Sequence, residues 1–534
     1  DAEPYTSKMV MGSADSIFVS QQESEKSIVF VSNVPWEASA DVDWITLKND
    51  AGAKGLDSIY FSVNANKAEE RHGKILINTV RGEISHEIII IQEAGLSNNF
   101  FVKKDASGEG HLWAEATSLS KALENAVSGD TIFIAAGTYT PTKVITKGDP
   151  ASDGDKTFEI SKNITLIGGF PEDAGVGAVS DPAAYKTVFS GSLNNGSLVY
   201  HVVSISAPIV KDQKITFSGL TITGGKAVGA GSIVINGATF YRNNGGGVSI
   251  GHSRVHFKQC EIIDNEGAHG AGAMFVYGGE VTIENSQIDN NTAGGNGGAI
   301  WAYSGSNVAI YSSALKDNYS KGTAGAIYAY PDVKLVMFNT KVMGNRGESF
   351  GAGVYFRESK GAVVNCLITG NMSTSDNGGG GLLLYGGSDV TVISSTISRN
   401  EIQGPGGGIY RQSGDNQLNL YNSIISGNKQ QGGSADVAAA SGQPDPEIQS
   451  SILGMDVYNS SGSVMGNNFN PATMLSRTFL PEGSSNPALQ NGMNAQMLLN
   501  LNSSLDSPLN KDYLSNDLNG NSRVGKNIMG ALVK

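Results

Sequence analysis

Short apolar runs separated by polar turns dominate residues 15–95, for example Ser27–Ser32, Lys74–Asn78 and Glu87–Gln92. Several runs alternate apolar and polar side chains, which is the pattern of a half-buried β-strand. No amphipathic helix of useful length interrupts them. Regularly spaced short strands of this kind predict a small β-sandwich.

One amphipathic helix is predicted next, over residues 118–128. Its apolar residues follow the helical spacing i, i+3, i+4, i+7, i+8 and are Leu119, Ala122, Leu123, Ala126 and Val127. Thr117 or Ser118 can cap its N-terminus. Apolar strands are predicted directly afterwards at Thr131–Ile134 and Asn163–Phe170.

A repeat of about 26 residues then occupies residues 220–453. An apolar residue, two further residues and an asparagine recur; these marker asparagines are Asn243, Asn265, Asn291, Asn318, Asn345, Asn371, Asn400 and Asn428. Gly-rich segments that end in an aliphatic residue keep the same spacing, at Val248, Met274, Ile300, Ile327, Val354, Leu382 and Ile409. A third apolar pair lies ten and eight residues before each marker from Asn265 on, and only Gly361 departs from it. Three short strands per turn predict a parallel β-helix, whose coils stack ~4.8 Å apart.

Composition narrows the possible partners. Glycine accounts for 69 of the 534 residues but without a G-X-Y period, which excludes collagen. The formal net charge is −13 and no basic block occurs, so neither nucleic acid nor an anionic membrane surface is expected as a partner. The purely apolar runs, such as Ile88–Ile91, are too short to span a bilayer.

Stacked coils turn repeat positions into ladders of side chains. Six residues before the markers lie Asn285, Asn339, Asn365 and Asn422, whose amides are predicted to hydrogen-bond from coil to coil. Cys260 and Cys366 share the next position, four coils apart. That separation is about 19 Å at ~4.8 Å per coil, whereas a disulfide needs Cα atoms within ~7 Å. We therefore expect two free, structural thiols.

The predicted sandwich resembles a known family. The run Val34-Pro35-Trp36, then Trp44-Ile45-Thr46, Arg71 and Gly73, and the closing Ile90-Ile91-Gln92 resemble the BACON domain of secreted Bacteroidetes proteins. The resemblance implies either a spacer or a carbohydrate-binding module. We favour the spacer, with Trp36 and Trp44 in the core.

The second part of the chain resembles right-handed parallel β-helix proteins of the pectate-lyase-like class. The segments ALENAVSGDTIFIAAGTY and FEISKNITLIGGF carry this resemblance, and it implies that the helix at 118–128 plugs the open end of the first coil. The Gly-Gly-Ala and asparagine pattern of the repeat also resembles polymorphic outer-membrane proteins and related surface adhesins.

We therefore predict an all-β protein with two domains. Residues 1–95 form the BACON-like sandwich, and residues 99–534 form a right-handed, single-stranded parallel β-helix with an N-terminal capping helix. Within the β-helix, residues 99–225 contain the cap and first coils, 226–453 the regular coils, and 454–534 a segment that closes the last coil. In that segment, Asp517 and Asn519 are expected to form a plain turn rather than a cation site.

Outward-facing aromatic residues are the candidate binding surface. Because side chains alternate along a strand, two columns are predicted on the outside of the coils. The first contains Phe275, Trp301, Tyr328, Tyr355, Leu383 and Tyr410, and the second Tyr277, Tyr303, Tyr330, Arg357, Tyr385 and Gln412. Exposed aromatic rings can stack on the apolar faces of sugars, and Arg357 could pair with an acidic group. The alternative is that these rings only stabilise the stacked strands.

Catalytic signals are weaker. The turns after these strands carry scattered charges at Glu280, Asp332, Glu358, Lys360, Asp389 and Asp415. Glu358 is the best single candidate for a catalytic acid or base. His252, His256 and His269 do not have the spacing of a zinc site, so no metal site is predicted.

The leading hypothesis is a carbohydrate-binding protein that uses the aromatic surface. The alternatives are a polysaccharide lyase or glycoside hydrolase of the pectate-lyase-like class, and a surface adhesin that binds a host protein. No cofactor is expected, although a lyase could use Ca²⁺ to neutralise a uronate. We expect a monomer, secreted or on the outer cell surface, with membrane contact only through a removed lipid anchor.

Overall fold

The computed structural model describes most of the chain. The described residues are 6–21, 24–66, 71–80, 83–93, 99–351, 353–431 and 436–454, together with residues 456–458, 464–466, 488, 493, 516–519, 521–523 and 529–532. The chain divides into two compact units, Asp1–Asn99 and Phe100–Lys534. No helix among these residues is long and apolar enough to cross a membrane.

The first unit is a β-sandwich of two sheets. One sheet has the strand order Met9–Met11, Ser24–Ser32, Gly55–Val63, Ile45–Leu47, and the other has the order Ser16–Val19, Ser85–Gln92, Arg71–Thr79, Trp36–Ala40, Ala51–Gly52. Trp36 and Trp44 are both buried in the shared core, where the Trp36 ring meets Phe30 edge-on at 5.0 Å. The prediction that both tryptophans belong to the core is confirmed.

A short helix, α1 (Leu119–Asn125), precedes the coils. The Ser118 hydroxyl caps it by accepting the Lys121 amide at 3.3 Å. Leu119 and Ala122 are buried in the core of the first coils, so α1 covers apolar surface as predicted. It ends three residues earlier than predicted, and Asp130 accepts the Val127 amide beyond its end. Two short 3-10 turns lie at Trp113–Glu115 and Asp153–Asp155.

Four parallel sheets run along the coils, and we number them in the order in which each coil visits them. Sheet I contains Phe158–Ile160, Val203–Ile205, Val248–Gly251, Met274–Tyr277, Ile300–Tyr303, Ile327–Tyr330, Val354–Arg357, Leu382–Tyr385, Ile409–Arg411 and Val437–Ala439. Sheet II contains Asn99–Val102, Thr131–Ala135, Thr165–Phe170, Ile215–Ser218, Arg254–Lys258, Glu280–Glu284, Asn307–Tyr311, Lys334–Phe338, Lys360–Val364, Asp389–Ile393, Gln417–Tyr421 and Glu447–Gln449.

Sheets III and IV complete each coil. Sheet III contains Gly137–Tyr139, Thr187–Ser190, Leu220–Thr223, Glu261–Ile263, Gln287–Asp289, Ala314–Lys316, Lys341–Met343, Leu367–Thr369, Thr396–Ser398, Ile424–Ile425 and Ile452–Leu453, then two antiparallel strands, Asp456–Tyr458 and Val464–Gly466. Sheet IV has two-residue strands at Lys226–Ala227, Glu266–Gly267, Thr292–Ala293, Tyr319–Ser320, Arg346–Gly347, Met372–Ser373, Glu401–Ile402 and Lys429–Gln430. The prediction of an all-β fold with a sandwich and a right-handed parallel β-helix is confirmed.

The register follows the repeat in the sequence. Ile300 pairs with Ile327 in sheet I, and Gly361 pairs with Leu335 in sheet II despite its lack of a side chain. One assignment was wrong: the first repeat, with the marker Asn243 and the apolar residue Phe240 three positions before it, does not begin the series of coils. Phe240 lies in an antiparallel hairpin, Ser232–Ile235 with Ala238–Tyr241, and buries its ring against that hairpin.

Seven of the eight marker asparagines, from Asn265 to Asn428, form a continuous buried ladder that the sequence did not predict, and Asn243 lies outside it. Each side-chain amide from Asn265 to Asn400 donates to the carboxamide oxygen of the marker in the next coil, at 2.8–3.1 Å. Each also donates to a backbone carbonyl of the preceding coil, for example Asn318 to Ile288 at 2.8 Å. The ladder ends where Asn428 donates to the Asp436 carboxylate at 2.7 Å. Every buried amide in it is therefore satisfied.

The second ladder, predicted from the asparagines six residues before the markers, forms only in part. Asn365 donates to Asn339 and Asn422 to the Ser394 hydroxyl, but Asn285 donates to its own neighbour, Glu284. All four asparagines have a left-handed backbone, with φ between 49° and 54°, a conformation that asparagine tolerates better than most residues. The turn between sheets II and III explains their presence better than amide stacking does.

Both cysteines are free and buried, as predicted. Each Sγ lies near backbone carbonyls, such as that of Lys258 for Cys260 and that of Val364 for Cys366. Burial raises the pKa of both thiols to about 12. They are therefore unreactive core residues.

The predicted closing segment, 454–534, lies largely outside the described residues. Apart from the two antiparallel strands of sheet III, described residues of this segment contact the outer surface of the later coils. Arg523 is buried and donates to the Asn365 carboxamide at 2.7 Å, and Met529 packs on Ile424 and Ile452. The Asp517 carboxylate accepts the backbone amides of Asn519 and Asn521, at 2.9 and 2.7 Å, and so forms a turn.

The ladder predicts a specific loss of stability. Asn318→Ala removes the acceptor for the amides of Asn291, both backbone and side chain, at 2.9 and 3.0 Å. We expect the free energy of unfolding to fall by about 1–3 kcal/mol for each buried group left unsatisfied. Chemical denaturation would measure it, with the exposed Asn307→Ala as control. Equal midpoints for the two variants would contradict the ladder's role.

Candidate functional site

The first aromatic column lies outside the solenoid core but is not exposed, which corrects the prediction. Phe275, Trp301, Tyr328 and Tyr355 follow one another in register on sheet I. Trp301 is only 8% exposed and Tyr355 only 3%. With Leu383 they form a separate apolar cluster, whereas Tyr410, at the end of the column, is half-buried.

The Gly-rich segments cover the first column. Single parallel bridges join Asn244, Gly270, Asn296, Thr323 and Phe350 from coil to coil. A Cβ atom on Gly270 would lie 2.3 Å from the Trp301 ring, so the absence of a side chain there lets the ring pack against the backbone. The Phe350 ring stacks on Tyr355 at 6.1 Å. Strand alternation shows which residues leave the core, but not which of them a neighbouring loop then covers.

The second column remains half-exposed and continuous. Tyr277, Tyr303, Tyr330 and Tyr385 are each partly accessible. The Tyr277 and Tyr303 rings stack at 5.6 Å with a 20° angle between their planes, and Tyr303 and Tyr330 lie 6.4 Å apart. This column therefore presents a row of ring faces and edges along the solenoid axis.

Arg357 takes the place of one tyrosine in the second column. Its guanidinium lies 4.3 Å from the centre of the Tyr330 ring and 5.2 Å from that of Tyr385, which are cation–π distances. It donates to the Tyr328 hydroxyl at 3.5 Å, and its Nε is 3.5 Å from a Glu358 carboxylate oxygen. Burial lowers the pKa of Arg357, but its hydrogen bond to the Tyr328 hydroxyl and the nearby tyrosines raise that pKa by more. The net pKa lies above the ordinary arginine value, so the side chain stays charged.

A cleft of about 640 Å³ opens on the outer face of sheet II, beside the second column. Its described lining residues are Asp332, Val333, Lys334, Val336, Phe338, Glu358, Ser359, Lys360, Gly361, Ala362, Gly386, Gly387, Asp389, Thr391, Ile393, Asn419 and Tyr421. The turns from sheet I to sheet II connect the two surfaces, because Glu358 directly follows Arg357. Gly386 has φ +74°, and a Cβ there would lie 2.7 Å from Glu358 Cγ.

The cleft has a polar end and an apolar end. Lys334, Lys360 and Asp389 pair in successive strands at the polar end. In the middle, the small side chain of Ala362 lies between Val336 and Thr391, which makes the surface concave. At the apolar end, Phe338, Ile393 and Tyr421 pack with Met493.

Charges that look scattered in the sequence therefore meet in one place. Asp332, Glu358, Lys360 and Asp389 all line the cleft, whereas Glu280 is paired with Arg254 at 2.6 Å and, like Asp415, is absent from the lining. The outward positions of sheet II carry this signal in the sequence, because Lys334, Lys360 and Asp389 occupy the same position in successive coils. The inward apolar pairs that define the repeat do not show it.

The three histidines near the first coils have separate partners. His256 contacts Glu284 at 3.0 Å, His269 contacts Asn244 at 3.2 Å, and the His252 ring lies 5.1 Å from that of Tyr277. Within the part of the chain that the structure describes, no three His, Cys, Asp or Glu side chains lie close enough together to hold a metal ion.

Two family models match the chain. The model described as "Right handed beta helix region" matches residues 205–373 and 325–473, which together span just over half of the chain. The BACON model, described as "Putative binding domain, N-terminal", matches residues 34–93. No curated protein matches the sequence.

Three solved structures show limited similarity. The crystal structure of pectate lyase Pel9A is 15% identical with a TM-score of 0.40, covering 74% of this chain and 92% of that one. A Bacteroides ovatus GH5 xyloglucanase in complex with a XXXG heptasaccharide is 11% identical, with a TM-score of 0.16, and the match covers 31% of this chain and 37% of that one. WR4, a C. elegans MSP family member, is 12% identical, with a TM-score of 0.13, and the match covers 15% of this chain and 92% of that one. These TM-scores are too low to indicate a shared site.

The two columns should respond differently to truncation. Trp301→Ala opens a cavity in the covered cluster and should cost about 3–5 kcal/mol of unfolding free energy. Tyr303→Ala, in the same coil but half-exposed, should cost roughly 1 kcal/mol or less. Trp301→Phe keeps a ring, and the buried indole N–H it removes has no hydrogen-bond partner among the described residues, so it should cost less than Trp301→Ala. Similar losses for Trp301→Ala and Tyr303→Ala in thermal or chemical unfolding would contradict the burial difference.

Proposed function

The chain belongs to the right-handed β-helix family, whose model matches just over half of it, and we propose that it is a carbohydrate-binding protein. It acts in the extracellular space or on the cell surface. Its glycan lies along the second column and extends into the cleft. The sandwich serves mainly as a spacer, because both of its candidate ring platforms, Trp36 and Trp44, are buried.

The observation that carries this proposal is the continuity of half-exposed rings with a charged cleft. Tyr277, Tyr303 and Tyr330 present an aromatic row, and contiguous exposed apolar surface on a folded protein marks a binding site. Sugar rings have apolar C–H faces that suit such rings, while the tyrosine hydroxyls bond to sugar hydroxyls. The cleft volume of about 640 Å³ lies within the ~300–1,000 Å³ of ordinary ligand sites.

Cleavage of the glycan is the second candidate function. Glu358, Lys360 and Asp389 line the same cleft, so a carboxylate and an amine are available as acid or base. Glu358 is exposed and lies 3.5 Å from the Arg357 Nε. The tyrosine row beside it suits binding without cleavage, so cleavage is the second candidate rather than the first.

Binding can be tested with a glycan array followed by titration of the best ligand. The double variant Tyr303→Ala/Tyr330→Ala should weaken affinity about ten- to hundredfold, because each stacked ring contributes ~0.5–1.5 kcal/mol beyond its buried area. Tyr60→Ala is the control, since Tyr60 is 56% exposed on the sandwich. Unchanged affinity in the double variant would remove the second column from the site. If no glycan binds but a host protein does, the surface adhesin becomes the better hypothesis.

Catalysis can be tested on the same ligand by mass analysis of products. If the cleft cleaves glycans, Glu358→Gln should reduce turnover ~10²-fold or more and leave affinity largely intact. Glu280→Gln is a matched control, because Glu280 is paired with Arg254 outside the cleft. A ligand that is bound but never shortened would exclude the enzyme for that ligand.

A further inference from the structure

We propose that the glycan is an uncharged, hydroxyl-rich polymer rather than a polyanionic one. This inference rests on the proposed function and specifies its ligand class. It depends on the charges of the second column and the cleft, which are nearly all balanced locally. It also depends on which atoms of Arg357 a ligand can reach.

Among the described residues of the second column and the cleft, positive and negative groups are equal in number. The cations are Arg357, Lys334 and Lys360, and the anions are Asp332, Glu358 and Asp389. Lys360 and Asp389 are direct neighbours on adjacent strands of sheet II. Lys334 is the neighbour of Lys360 on the other side, and Asp332 and Glu358 precede the two lysines by two residues each in the same cleft lining. Opposite charges at neighbouring positions attract each other, so carboxylates accompany both lysines.

Arg357 is poorly placed to bind a carboxylate or sulfate. Rings of Tyr330 and Tyr385 lie against its guanidinium, and Glu358 lies 3.5 Å from its Nε. The Nε atom itself is buried. A ligand anion therefore cannot form the pair of parallel hydrogen bonds that uses Nε as one of its two donors. The outer N–H groups can still donate to sugar hydroxyls, which carry no charge that Glu358 would repel.

The carboxylates suit a hydroxyl-rich ligand in the same way. An ionised Asp or Glu only accepts hydrogen bonds, and a sugar hydroxyl can donate one. Asp332, Glu358 and Asp389 would therefore bind hydroxyls and repel uronate or sulfate groups. The formal net charge of −13 adds a longer-range field that disfavours the approach of a polyanion.

The test compares uncharged and anionic polymers on the same protein. The uncharged probes are xylan, mannan and β-glucan, and the anionic probes are polygalacturonate, alginate and chondroitin sulfate, each with and without Ca²⁺. Affinities are measured from ~0.01 M to ~1 M salt, over which the Debye length falls from ~30 Å to ~3 Å. We expect an uncharged polymer to bind best, with affinity that changes less than about twofold across this range.

Charge variants sharpen the comparison. Glu358→Gln removes the carboxylate beside Arg357 and should raise affinity for the anionic probes several-fold at low salt. Glu280→Gln makes the same change in net charge outside the cleft, and it should leave the affinity for the anionic probes nearly unchanged. Unfolding midpoints of both variants confirm that they are folded.

Three results would count against the proposal in different ways. Tighter binding of an anionic probe than of every uncharged one, with or without Ca²⁺, overturns the ligand class but leaves the carbohydrate function standing. Equal gains for Glu358→Gln and Glu280→Gln show that the local charge balance is not what excludes polyanions, and also overturn it. If no probe of either class binds, the proposed function and this inference both fail.

Discussion

The regular coils depend on keeping register with one another, and the buried asparagine ladder from Asn265 to Asn428 is the interaction that enforces it. A marker such as Asn318 bonds at once to the next coil, through Asn345, and to the preceding one, through the Ile288 carbonyl. A slip of one residue would leave these amides unsatisfied in the core, where each costs about 1–3 kcal/mol. Parallel strands alone specify register weakly where side chains are small, so the ladder supplies what the Gly-rich segments do not.

Because the register is fixed, outward side chains at the same position of successive coils line up in columns along the solenoid. Each coil contributes one residue to each column. Sheet I carries rings at two such columns, and sheet II carries Lys334, Lys360 and Asp389 at another. The turn between the sheets joins them at Arg357 and Glu358. A site of this kind extends along the axis of the molecule, which suits a linear polymer better than a small molecule.

Burial separates the roles of the two aromatic columns. Trp301 and its neighbours pack under the Gly-rich segments, so they attach those segments to sheet I and contribute to stability. Tyr303 and its neighbours rest against this layer with one side accessible. The covered column thus fixes the positions of the accessible one, and the rigid rings that result lose little conformational entropy when they bind a ligand.

The sequence by itself determined the periodic features. The spacing of Ile300 and Ile327 predicted their pairing, and the position of the two cysteines in the repeat predicted free thiols, because one repeat unit encodes one coil. Only the tertiary structure decided what covers each outward residue: Gly270 over Trp301, the hairpin around Phe240, and Met493 and Arg523 against the later coils. It also brought Glu358 and Asp389 into one cleft. Alternation along a strand specifies the side on which a residue lies, whereas its exposure and neighbours depend on how distant segments pack on that side.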